Sequence, residues 1–377
     1  MSARKVPGGA LAVVKDRRLV YARGYGWADR GKKLPAKADS LFRIASISKP
    51  FTAVAVLKLV EEGRLKLADR AFDFIELKAI VETGKTPDAR LKEITIRQCL
   101  DHTGGWDRNA SFDPMFRSPI ICRAVGAPAP ADSAAVIRYM MGQPLDFAPG
   151  ARFAYSNFGY CVLGRVIEKV TGQPYGKFVT DRVLTPAGIK RMRLGATLDG
   201  KQAEGEVRYY TSDNAEGESL FPAEPGKVPW PYGAFHLEAM DAHGGWISSA
   251  VDLARFAAAL DPSNRSPLLK PETLRVMHEP PAPPAARNGD GTMKDSHYGC
   301  GWFVRPDRGG TMTSWHGGSL PGTSTLLVRR GDGLSWAVLF NQRSSDKKLP
   351  DGAIDAALHD AASAVKSWPG EDLFTKF

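Results

Sequence analysis

An α+β fold is predicted from three observations. Short apolar strand-like runs bounded by turn residues stand at both ends of the chain, long apolar helical runs fill its middle, and no convincing linker, repeat or low-complexity tract divides it. The order strand, helices, strands, helix places the first and last segments in one antiparallel β-sheet. Residues 1–377 are therefore read as one domain, with an α/β part at about 1–45 and 260–377 and a largely helical lobe at about 46–259. A cleft between the two parts is the natural place for a site.

Leu11-Ala-Val-Val and Leu19-Val-Tyr-Ala flank the polar Lys15-Asp-Arg-Arg, which reads as a β-hairpin. From Ser46 helices take over. The run from Phe51 to Glu62 stops at Gly63 and that from Tyr160 to Val170 stops near Gly172, with glycine where a helix ends. Ser249, three residues before Asp252, opens a further helix through Ala259 as a capping box with Asp in place of Glu. Beyond residue 298 strands return in Gly301-Trp-Phe-Val-Arg, Thr323–Arg329 and Leu334–Phe340, and a helix from Ala353 to Val365 closes the pattern. Residues 200–243 and 278–296 are rich in Pro, Gly and charge and read as long loops.

The chain is 43% hydrophobic and 9% aromatic, which suffices for a sizeable core. Its net charge of +10 would suit an anionic partner. The basic residues are scattered, without a Lys/Arg block or RNA-binding signature, so nucleic acid is set aside. Cys99, Cys122, Cys161 and Cys300 stand too far apart for a zinc ribbon or disulfide scaffold and are expected in the core. No stretch approaches the ~20 apolar residues of a membrane span. Residues 1–9 contain no apolar leader, but a removed signal peptide would leave the same picture, so the compartment stays open.

Ser-x-x-Lys occurs five times, starting at Ser2, Ser46, Ser344, Ser345 and Ser363. Only Ser46-Ile-Ser-Lys49 heads a strongly apolar helix, which sets Ser46 and Lys49 one turn apart on one face, with the serine at the positive helix end. That suits a nucleophile and its proton partner; it equally suits a serine that caps the helix. Tyr155-Ser-Asn157, after the turn-forming Ala148-Pro-Gly and before a buried helix, can bring a second base into a cleft, or simply pack. His316-Gly-Gly-Ser319 lies between strand-like segments, where the Ser319 N–H on a sheet edge can join that of Ser46 as an oxyanion hole; a plain glycine turn with an exposed histidine is the alternative. No G-x-S-x-G or H-E-x-x-H occurs, and the seven histidines lack metal-ligand spacing, so neither metal nor cofactor is expected. Gly24-Tyr-Gly26 begins like a dinucleotide fingerprint but lacks the third glycine and the βαβ setting.

Taken in order, Ser46-x-x-Lys49, Tyr155-x-Asn157 and His316-Gly-Gly318 resemble the three-motif layout of the β-lactamase-like serine hydrolases: class C β-lactamases, DD-peptidases and penicillin-binding proteins, and family VIII carboxylesterases. Phe42-Arg-Ile-Ala-Ser-Ile-Ser-Lys, Leu100-Asp-His-Thr-Gly-Gly, Gly244-Gly-Trp-Ile-Ser-Ser and Tyr298-Gly-Cys-Gly-Trp look similar too, so the resemblance spans about residues 7–345. It implies an antiparallel sheet flanked by N- and C-terminal helices, although only six residues precede Pro7 here. It also implies acyl-enzyme chemistry in which Ser46 attacks a carbonyl, Tyr155 and Lys49 share the proton, and Asn157 holds Lys49 and the substrate. His316, Gly317, Gly318 and Ser319 then complete the substrate and oxyanion site. The implied partner is a small-molecule ester or β-lactam; the oligomeric state is left open, and such proteins are often extracytoplasmic.

Where many relatives of this type carry Lys-Thr-Gly, this chain has His316, mostly neutral near pH 7 with its ordinary pKa of about 6.5. A weaker cation favours short-chain esters over carboxylate-bearing β-lactams, so a carboxylesterase with slight β-lactam hydrolysis is expected. A class C-type β-lactamase, a D-aminopeptidase or DD-carboxypeptidase, an acyltransferase and a non-catalytic penicillin-binding or scaffold protein are the alternatives. Tyr209, Tyr210, Phe221, Trp230, Tyr232 and Phe235 either wall the acyl pocket or anchor their loop.

Overall fold

The computed structural model describes residues 6–260, 266–307, 310–343 and 351–377. Eight antiparallel strands form the main sheet: β1 (Gly8–Lys15), β2 (Arg18–Asp29), β3 (Leu34–Pro35), β4 (His297–Tyr298), β5 (Phe303–Pro306), β6 (Met312–Leu320), β7 (Thr323–Arg329) and β8 (Leu334–Phe340). Their order is β4-β5-β6-β7-β8-β1-β2-β3, so the two ends of the chain meet where β1 pairs with β8, Ala12 opposite Ala337. The α+β architecture is that expected from the element order. Among the described residues no helix precedes β1, and no helix is long and apolar enough to cross a membrane.

Alternation along the strands gives the sheet two apolar faces. Ala10, Ala12, Leu327, Ala337 and Leu339 face the main core, whereas Val13, Val20, Leu326, Val328, Trp336 and Val338 face the other way. The second face is covered by Ile354, Leu358 and Ala362 of the closing helix, Asp351–Ala364. α1 (Ser48–Glu61) and α2 (Asn157–Thr171) pack on each other within the main core, and α3 (Ala250–Ala259) lies against the first face of the sheet.

α1 is apolar on every side, with buried residues from Ser48 through Leu57, and such a helix belongs inside a molecule rather than on its surface. Phe51 stacks on Phe256 of α3 at 3.8 Å between ring centroids, a contact worth about 1 kcal/mol beyond area burial. α1 and α2 stop before Gly63 and Gly172, both left-handed with φ of 67° and 68°. Ser249 accepts from the N–H of Asp252 at 3.0 Å and so caps α3, without a full capping box, Asp252 standing in place of the longer glutamate. The cysteines are buried free thiols.

Two departures from the expected elements shape the site. α2 begins at Asn157 rather than Tyr160, which puts Asn157 in its first turn. The strand expected to stop at Trp315 continues through His316-Gly-Gly-Ser to Leu320. Its neighbour β5 pairs only as far as Trp315, so residues 316–320 form a local edge turned toward the segment 45–47.

Candidate active site

Ser46 lies in a 3-10 turn, Ala45–Ile47, that runs directly into α1. Neither Ser46 nor Ser48 caps a helix through its side chain. Ala45 is held in the left-handed region (φ 48°), uncommon for a residue with a Cβ, and this bend sets the direction of the turn. The preceding segment is fixed by Arg43, fully buried, whose guanidinium donates to the carbonyls of Pro231 (2.6 Å), Ala196 (2.8 Å) and Thr197 (3.2 Å) and lies 4.4 Å over the Tyr209 ring. Tyr209, Tyr232 and Phe235 pack around this cation, and none of the six loop aromatics borders the cavities at Ser46. Tyr209, Tyr232 and Phe235 anchor their loop, whereas Trp230 is 41% exposed.

Lys49 Nζ is 3.2 Å from Ser46 Oγ, 2.8 Å from Asn157 Oδ1 and 3.1 Å from the carbonyl of His243, and it lies 4.7 Å from the centre of the Tyr155 ring. It has no exposed surface. Burial draws its pKa well below the ordinary lysine value, against Asp113 and helped by Arg108. All three neighbours lie within hydrogen-bond reach of Nζ; a neutral amine can donate to Asn157 Oδ1 and the His243 carbonyl and still offer its lone pair to the Ser46 hydroxyl. Tyr155 shares a side-chain hydrogen bond with Ser46; burial nevertheless raises its phenol pKa, so it stays protonated near neutrality.

His102 brackets Tyr155. Its carbonyl accepts the N–H of Ala154 (2.9 Å) and its Nδ1 accepts that of Ser156 (3.2 Å), from a left-handed backbone at φ 61°. Asn157 completes the loop by donating to Asp113 Oδ2 at 2.6 Å.

Across the cleft, β6 supplies His316, Gly317, Gly318 and Ser319. A Cβ on Gly318 would stand 2.2 Å from the carbonyl of Ile44, so glycine is what lets this strand approach the Ser46 turn. His316 is 1% exposed. Its Nδ1 donates to the carbonyl of Gly317 (2.7 Å), which makes Nε2 the acceptor for the Tyr298 hydroxyl (2.8 Å). Burial and the nearby Lys49 push its pKa down to about 3, so the ring is a neutral wall element with both nitrogens engaged.

Two cavities meet at Ser46. The inner one, about 210 Å3, is bordered by Ser46, Asn157, Phe116, Met240 and Ser319; the outer, about 420 Å3, by Ser46, Tyr155, Phe303, Trp315 and residues 316–319. All eight residues singled out in the sequence therefore gather around one cleft. Of the other Ser-x-x-Lys starts, Ser363 sits in the closing helix bonded to the carbonyl of His359, and those at Ser2, Ser344 and Ser345 lie outside the described residues. Arg108, Asp113, His102 and Tyr298 escaped the sequence reading. His102 and Tyr298 stand within quoted motif-like stretches, whereas Arg108 and Asp113 belong to an irregular loop with no periodicity to mark them.

The chain is 26% identical over 357 residues to penicillin-binding protein 4* of Bacillus subtilis (strain 168), covering 93% of this chain and 71% of that protein. It is 33% identical over 324 residues to protein flp of Staphylococcus aureus (strain COL), covering 86% of this chain but only 57% of that relative. A D-stereospecific amidohydrolase from Streptomyces sp. superposes with a TM-score of 0.65 at 26% identity, over 90% of this chain and 91% of the other. The beta-lactamase family model matches residues 1–361, and the chain accordingly belongs to this family of serine hydrolases.

Proposed function

We propose that the protein is a carboxylesterase acting on short-chain esters through an acyl-enzyme on Ser46, with weak hydrolysis of β-lactams. The observation that carries this reading is the contact of Ser46 Oγ with a buried Lys49 whose pKa is depressed. Neutral Lys49 takes the Ser46 proton as Oγ attacks the ester carbonyl. The N–H groups of Ser46 and Ser319 hold the oxyanion, each donor of this type contributing about 3–4 kcal/mol. Tyr155, protonated, gives its proton to the departing alkoxide and recovers one from the Lys49 ammonium. Water enters by the reverse route, and the acid and Ser46 are released. The sequestered, neutral His316 supports esters over substrates whose carboxylate needs a cation at the third motif.

A second reading is favoured by the likeness to the D-stereospecific amidohydrolase from Streptomyces sp.: D-stereospecific amide hydrolysis by the same Ser46 chemistry. Turnover of a 4-nitrophenyl ester, a chromogenic cephalosporin and a D-amino-acid amide ranks the readings, with the ester expected fastest. Ser46→Ala is expected to lower ester turnover by at least about 10^4-fold. Unchanged turnover in that variant would refute the mechanism.

A further inference from the structure

We infer that Arg108 selects substrates carrying a carboxylate, so that the preferred ester is an anionic one; this rests on the esterase reading of Ser46. Arg108 borders both cavities that meet at the nucleophile, from the wall opposite β6. Its guanidinium lies 4.7 Å over the Tyr155 ring, and its side chain is 42% exposed. An arginine carries five N–H donors in a fixed fork. Among the described residues none of them makes a hydrogen bond, and the one ionic contact is Asp113, 4.0 Å from Nη1. That carboxylate is already engaged by Asn157 Nδ2 at 2.6 Å.

Other charges do not duplicate this role. Lys49 is buried and spent on Ser46, Asn157 and the His243 carbonyl, and His316 is neutral. Arg343 borders the inner cavity only, and Asp355, on the rim of the outer one, stands 3.5 Å from His359. Arg108 is thus the exposed permanent cation common to both cavities. A planar fork facing a cleft matches a carboxylate bidentately. The net charge of +10 would help to draw such anions in.

The test compares 4-nitrophenyl hexanoate with mono-4-nitrophenyl adipate, which differ only in a terminal carboxylate. In the wild-type protein kcat/KM is expected to favour the adipate. In Arg108→Gln and in Arg108→Met, which retains the stem over Tyr155, the adipate-to-hexanoate ratio is expected to drop about 10- to 100-fold, with Arg108→Lys between. Using the ratio removes any general effect of Arg108 on its neighbours. A ratio unchanged in both variants overturns the inference while leaving the esterase intact. Absence of turnover of both esters by the wild-type protein instead sinks the esterase reading. Calorimetric binding of adipate and hexanoate to Ser46→Ala, with and without Arg108→Gln, then decides the role of Arg108 without turnover: tighter adipate binding lost with the arginine supports it, and equal binding overturns it.

Discussion

A lysine amine placed among Asn157 Oδ1, the His243 carbonyl and Ser46 Oγ, out of contact with water, has its protonation set by its surroundings. Because burial lowers its pKa, the neutral base becomes abundant well below the ordinary lysine value of about 10.4. Esterase kcat/KM is therefore expected to rise from about pH 6 to about pH 9 and to level off before that value. Lys49→Arg, which cannot lose its proton, should remove the activity by about 10^3-fold or more. A rate that falls over this range, or an active arginine variant, contradicts the assignment. Ser46 and Lys49 were legible because their spacing sets them one turn apart at the head of an apolar helix, and Tyr155 and Asn157 because they stand at the entry to the next buried helix in a motif that resembles the family's. The burial of His316 was not: residue type marks it as a histidine, while its bond to Tyr298 depends on two strands folding together.

At the scale of elements, the site depends on how closely β6 approaches the turn at Ala45–Ile47. Gly318 allows that approach, and Thr325 on the neighbouring β7 bonds to the same Ile44 carbonyl at 3.0 Å. Gly318→Ala would drive its Cβ into this carbonyl, separating Ser319 from Ser46. Overpacking of this kind costs about 1–3 kcal/mol, and displaced oxyanion donors are expected to lower kcat by about 10^2-fold. Denaturant melts and steady-state kinetics check the two effects; a fully active alanine variant would show that the approach is not needed. The hairpin, the helix stops at Gly63 and Gly172, and the edge position of Ser319 follow local pattern. The continuation of β6 through two glycines does not, since glycine weakens a strand in isolation and is tolerated here because another backbone must pass.

For the whole molecule, buried histidines set the response to acid. His102, His243, His278 and His316 all have pKa values pushed down by burial, those of His278 and His316 to about 3. In the unfolded chain each titrates near about 6.5. Below that pH the unfolded state binds protons that the folded state refuses, so stability falls as pH drops, by about 1.4 kcal/mol per pH unit for each histidine, until its folded pKa is passed. Asp101, Glu206, Asp241 and Asp252 have raised values and oppose the trend as they take up protons, so the histidine decline is read at its onset just below about pH 6.5. Urea unfolding across this onset should show the decline, and His278→Gln, remote from Ser46, should flatten the slope by up to one proton. A stability that rises on acidification there contradicts this.

The sequence by itself determined the α+β class, because helix and strand periodicity and turn residues are local properties of the chain, while the nucleophile candidate and its motif partners came from the ordered resemblance of three short motifs to those of the family. Only the tertiary structure decided that Lys49 is dry, that His316 is sequestered with both ring nitrogens bonded, and that Arg108 borders the two cavities at the nucleophile. Protonation and exposure depend on which distant segments exclude water from a group, and that is settled only when segments far apart in the chain pack together.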